Sequence, residues 1–161
     1  MTSWLKNFVK ILDLGKCLVH NKNMKLKTVE VPGWDLIKEL GWGTKTTDCN
    51  KIQAYLFSTY DSRTVANLRS FVLSKQSELI RTIEKWEDNN RELNIGSDDG
   101  FSDVTAHVVG LGQSEFERVK VNPVLLEERY NKPYKSLDGY RESFLYCFQN
   151  PIGIKLEQEF E

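Results

Sequence analysis

DSRTVANLRSFVLSKQSELIRTIEKWEDNN, residues 61 to 90, decides the fold class of this chain. Its apolar side chains Val65, Leu68, Val72, Leu79, Ile83 and Trp86 recur at intervals that gather on one face of an α-helix, while charged and hydroxyl residues fill the rest of the wheel. Asp61 and Ser62 offer side-chain oxygens to the unpaired amides of a first turn, and Asp88-Asn89-Asn90 supplies a polar, turn-forming end. The pattern predicts a long amphipathic helix whose apolar stripe must be covered. Helical partners are available on both sides of it, so the expected fold class is mainly α: a compact helical domain, with room for a short N-terminal β-hairpin.

Downstream, Ser97-Asp98-Asp99-Gly100-Phe101 reads as a second helix start. Ser97 or Asp98 accepts a hydrogen bond from a first-turn amide, and the carboxylates oppose the positive end of the helix dipole, together worth about 1–2 kcal/mol. Phe101, Val104, Val108 and Leu111 then share one face, and Gly110 or Gly112 can take the left-handed conformation that ends a helix. Shorter helices are expected from Ser114 to Val119 and from Pro123 to Tyr130. A loop follows over Asn131 to Asp138, and a last helix carries Tyr140, Phe144, Tyr146, Cys147 and Phe148. Upstream, Trp34, Leu36, Ile37 and Leu40 suggest a brief helix stopped at Gly41. The run from Gly41-Trp42-Gly43 to Asn50 reads as loop, and residues 50–60 suit helix and strand equally.

The N-terminus has a different character. Six of the 22 basic side chains but only one of the 23 acidic ones lie in residues 1–27, so a basic arm precedes a mildly acidic body. Within it, Leu5, Phe8, Val9 and Leu12 follow helical spacing up to Gly15, making Trp4, Lys6, Phe8 and Lys10 candidate partner contacts. Lys16 to His20 and Leu26 to Val31 flank Asn21-Lys22-Asn23 as the two strands of a hairpin. The organisation expected is an arm over residues 1–31 and a single helical domain over 32–161, a size that encloses one core.

No apolar run approaches the ~18 residues of a membrane span, and the N-terminus has no leader-like pattern. Cys17, Cys49 and Cys147 are odd in number and widely spaced, which indicates neither a disulfide framework nor a zinc knuckle. Reduced thiols and a cytoplasmic location are expected, with Cys147 as a small buried hydrophobe.

Asp99, Asp103 and His107 are the best candidates for catalysis or metal binding. At i, i+4 and i+8 they fall within about 80° of one another on the helix, and two carboxylates with an imidazole are groups that hold a divalent ion or move protons. The outer two stand ~12 Å apart along the axis, so a shared ion needs another ligand, such as Asp98, Glu115 or Glu117. A Ser97, Asp103 and His107 nucleophilic set is weaker because Ser97 serves as a cap. Gly110-Leu111-Gly112 fails as a phosphate loop, since Glu115 occupies the third glycine position. Asp88-x-Asn90-x-Glu92 fails as a calcium loop, with Leu93 in place of the required glycine. No cofactor is expected. Trp34, Trp42 and Trp86 read as packing residues.

Ser97-Asp98-Asp99-Gly100-Phe101, Val108-Val109, Gly112, Phe116, Asn122-Pro123 and Leu126 together resemble the signature of domain of unknown function family 4240, a set of uncharacterised bacterial proteins. Gly33-Trp34-Asp35-Leu36-Ile37 resembles that family's opening Phe-Trp-x-Leu-Ile. The match is specific over residues 95–126 and looser from Trp34 to Phe148. His107 stands where the family usually has Trp, and Gly33 where it has an aromatic residue. The resemblance implies a compact, mainly helical bacterial domain and supplies no catalytic residue.

The leading functional expectation is a non-enzymatic interaction, regulatory or toxin-neutralising module whose partner is another protein or a second copy. A metal-dependent hydrolase built on Asp99, Asp103 and His107 is the alternative. Nucleic-acid binding through Lys6, Lys10, Lys16, Lys22, Lys25 and Lys27 is a third reading and is not favoured; it would show steep salt dependence.

Overall fold

Asp61 begins the longest helix as its side chain dictates: one carboxylate oxygen accepts the Thr64 amide at 2.8 Å, and 28 helical residues follow. The computed structural model describes residues 25–130 and 144–149. In chain order the elements are α1 (Trp34–Leu40), α2 (Cys49–Thr59), α3 (Ser62–Asn89), α4 (Asp98–Gly110), α5 (Gln113–Val121), α6 (Leu125–Tyr130) and a 3-10 helix (Phe144–Phe148). The fold is mainly helical, and β contacts among the described residues are confined to two isolated bridges, Lys27 with Tyr60 and Trp42 with Thr46. No helix among them is long and apolar enough to cross a membrane.

Helix α3 runs past α2, α4, α5 and the 3-10 helix and buries most of the predicted stripe, with Val65, Leu68, Val72, Leu79 and Ile83 each at most 1% exposed and Trp86 half-buried against the core. Gln76 interrupts this stripe. Its side-chain amide donates to the Ser102 carbonyl at 2.9 Å and to the Thr105 hydroxyl at 3.2 Å, so the polar group is satisfied where α3 crosses α4. Every buried side-chain nitrogen and oxygen among the described residues has a partner.

Helix α4 is buried more completely than a one-faced pattern implies. Thr105, Ala106 and Val109 join Val104 and Val108 in the core, because α3, α5 and the 3-10 helix all pack against this short element. Ser97 is its cap, accepting the Gly100 amide. Of the two glycines expected to end it, Gly110 remains helical and Gly112 makes the turn at φ 103°, its amide donating to Val109. Asn122 closes α5 by donating its amide to Arg118, and buried Pro123 redirects the chain into α6.

The ambiguous residues 50–60 are helical, capped by Asp48, whose carboxylate accepts the amides of Asn50 and Lys51. Glu39 of α1 ties this helix in by accepting hydrogen bonds from the Tyr55 and Tyr60 hydroxyls, which hold its carboxyl below the usual range. Arg91 and Glu127 form a two-pronged ion pair that fastens the 90–96 connection to α6. That pair, with the Asn94 amide, lowers the Glu127 carboxyl to about 2.

Two sequence expectations are corrected. Leu26–Val31 forms no strand: Lys27 donates to the Thr59 carbonyl and accepts the Asp61 amide, while the Val29 amide donates to the Thr64 hydroxyl. Backbone groups that a hairpin would have paired are taken by the junction of α2 and α3. The proposed first strand, Lys16 to His20, lies outside the described residues, as does the arm helix with Trp4, Lys6, Phe8 and Lys10. The described part of the last predicted helix is a single 3-10 turn that buries Phe144, Cys147 and Phe148 but leaves Tyr146 46% exposed. At three residues per turn, positions 144 and 147 come onto one side and 146 leaves it.

Candidate binding groove

An open groove of about 610 Å³ lies between α1, the 41–44 turn and the junction of α4 with α5. That volume is within the range of small-ligand and peptide-anchor sites. It is lined by the half-buried Trp34 and Leu111 and by the buried Ile37 and Trp42, with the exposed Lys38 and Glu117 at its rim.

Both indoles are held in place. Trp34 is half-buried, edge-on to Phe71 with centroids 5.2 Å apart and tilted against Phe116 at 5.1 Å. Phe116 is fixed from outside by the ammonium groups of Lys75 and Lys120, 5.7 and 5.2 Å from its centroid. Glu78 anchors both lysines, at 2.8 and 2.6 Å, and the Lys120 contact above all holds its carboxyl down.

Trp42 is 1% exposed, donates its indole N–H to His107 Nδ1 at 2.9 Å, and lies 5.1 Å from the Phe144 ring. This close fit requires a glycine in α4. A Cβ on Gly110 would come within 2.6 Å of Trp42 Cδ1 and 2.9 Å of Phe144 Cγ. Gly110→Ala is therefore expected to lose about 1–2 kcal/mol net, the overpacking outweighing about 1 kcal/mol of gained helix propensity. Chemical denaturation would reveal it; a more stable variant would show that the rings yield freely.

Burial pushes the His107 imidazole down to about 4, against a smaller upward pull from the Glu115 carboxylate. The ring is neutral at pH 7 and accepts at Nδ1, which places its proton on Nε2. The other members of the predicted stripe are elsewhere: Asp99 is exposed in the first turn, and Asp103 is half-buried. Each four-residue step drifts about 40° round the helix. By position 107 the side chain has reached the Trp42 side. Among the described residues, no three His, Cys, Asp or Glu side chains converge to hold a metal ion. Ser97 is occupied with capping rather than placed as a nucleophile.

Trp34, Trp42 and Gly110 are the groove residues that sequence reasoning left as packing or punctuation. The spacing Gly41-Trp42-Gly43 was the available signal, since glycines flanking an aromatic leave room for a close neighbour. A second unanticipated feature is the contact of Cys49 with Cys147, whose sulfurs lie 3.1 Å apart. No protein-family model, curated protein or solved structure matches the chain.

Proposed function

We propose that this protein is a non-enzymatic interaction module whose groove takes an apolar side chain and its flanking peptide from a partner protein. The observation that carries the reading is the half-buried Trp34 indole, braced by Phe71 and Phe116 beside a groove that the buried Trp42, held by His107 and Phe144, supports from within. A rigid aromatic wall binds with little loss of side-chain entropy, which is one reason tryptophans are enriched among the residues that dominate interface energetics. Lys38 and Glu117 place opposite charges at the rim, where polar groups set the orientation of a bound segment. The resemblance to domain of unknown function family 4240 belongs to the same proposal, and with it a bacterial, cytoplasmic setting and a regulatory or toxin-neutralising role.

Selection of a displayed random peptide library on the intact chain tests the reading. Peptides with a shared aromatic or aliphatic anchor should emerge. A Lys38→Glu/Ser114→Arg variant, altered at two exposed rim positions, should bind them at least about tenfold more weakly with Tm unchanged within about 2 °C. Binders indifferent to the rim, or none at all, would overturn the proposal.

A further inference from the structure

Cys49 is the first residue of α2 and Cys147 belongs to the 3-10 helix, yet the Cys147 thiol donates to the Cys49 sulfur at 3.1 Å across a sequence separation of 98. Both side chains are buried, at 3% and 0% exposure. A disulfide needs its sulfurs about 2.05 Å apart, so closing the bond takes a movement of about 1 Å, within reach of side-chain rotation and a small shift of one turn. We propose that Cys49 and Cys147 form a reversible oxidation site, whose disulfide staples the 144–149 segment to the start of α2.

The oxidant class is a peroxide. One thiolate attacks a peroxide oxygen, the O–O bond breaks, and the sulfur becomes a sulfenic acid with release of hydroxide. The neighbouring thiol then displaces that hydroxyl as water, forming the S–S bond. Overall, two thiols and one hydrogen peroxide give one disulfide and two waters. A dithiol reductant reverses the step by exchange.

The segment fastened in this way is already seated from several directions. Gln53 of α2 donates its side-chain amide to the carbonyls of Tyr146 and Gln149 at 2.7 and 2.8 Å, and Phe144 lies against Trp42 and beside Gly110. The two sulfurs are thus presented to each other by contacts that do not involve them. A five-residue 3-10 turn is also the kind of short element that opens locally, which admits a small oxidant to a buried thiol. The inference does not rest on the groove reading.

The test uses the full chain, reduced and desalted, exposed to hydrogen peroxide under native conditions and digested without reduction after blocking of remaining thiols. The expected result is a linked peptide pair containing Cys49 and Cys147, with Cys17 still blockable. Regeneration of three thiols by dithiothreitol and a Tm higher by at least about 5 °C in the oxidised form should accompany it. Three blockable thiols after exposure, stable sulfinic acids at Cys49 or Cys147 without a link, or a link that forms only in urea would each overturn the proposal.

Discussion

Trp42→Ala is expected to lower the unfolding free energy by about 3–5 kcal/mol. The side chain is 1% exposed, so its removal opens a cavity bounded by Phe144, Gly110 and His107. None of these fills it easily: Gly110 has no side chain to move, and Phe144 is held by its edge-on contact with Phe148 at 5.2 Å. His107 also loses the N–H that satisfies Nδ1. Trp42→Phe separates the two contributions, because it retains most of the ring volume and should lose only about 1–2 kcal/mol, with the missing hydrogen bond as a large part of it. In thermal unfolding followed by circular dichroism, the alanine variant should fall by at least about 6 °C in Tm and the phenylalanine variant by much less. Equal losses in the two would mean that the hydrogen bond rather than packing dominates.

Acidification below about pH 6.5 should destabilise the protein through His107. In the folded state burial holds His107 at about 4, whereas an unfolded imidazole titrates near 6.5. Between those values the unfolded chain takes up a proton that the folded chain resists, so the His107 contribution is fully present above about pH 6.5 and is lost as pH falls toward 4. The full loss is about 3 kcal/mol, of which about 2 kcal/mol is gone at pH 5. Glu115 moderates the effect by favouring the imidazolium. Glu39, Glu78, Asp61 and Glu127 have lowered carboxyl pKa values, so their contributions disappear at more acid pH. His107→Asn keeps an acceptor near the position of Nδ1 and does not titrate. With His20→Gln in both chains, leaving one imidazole to compare, the parent should lose stability steeply from pH 7 to 5 and the His107→Asn chain should not. Parallel profiles would show that His107 is not held neutral by its surroundings.

Residues 97–126 form a segment with a structural task. Ser97 caps α4, Gly112 turns the chain between α4 and α5, Asn122 and Pro123 end α5, and Phe116 and Leu126 are wholly buried. His107 is the residue whose ring receives the Trp42 hydrogen bond. A Trp at that position would have no acceptor to offer a second indole, so the pairing of positions 42 and 107 depends on the imidazole.

What the sequence by itself determined is local. The helices at 34–40, 62–89, 98–110 and 113–121 are legible because side-chain periodicity and capping oxygens act over four residues or fewer, and Gly41 and Ser97 mark boundaries by their own conformational and hydrogen-bonding chemistry. Residues 50–60 stayed ambiguous because Tyr55, Leu56 and Phe57 suit a strand as well as a helix, although Asp48 was already a usable cap. Tertiary structure alone decided the pairings that give the molecule its candidate sites: Trp42 with His107 across 65 residues, Gln76 with Thr105 across 29, and Cys49 with Cys147 across 98. These depend on how one helix is rotated and shifted against another, which is fixed by close packing of the whole core. For the same reason Asp99, Asp103 and His107, neighbours on a helical wheel, end in three different environments, since a wheel carries no information about which neighbour covers each turn.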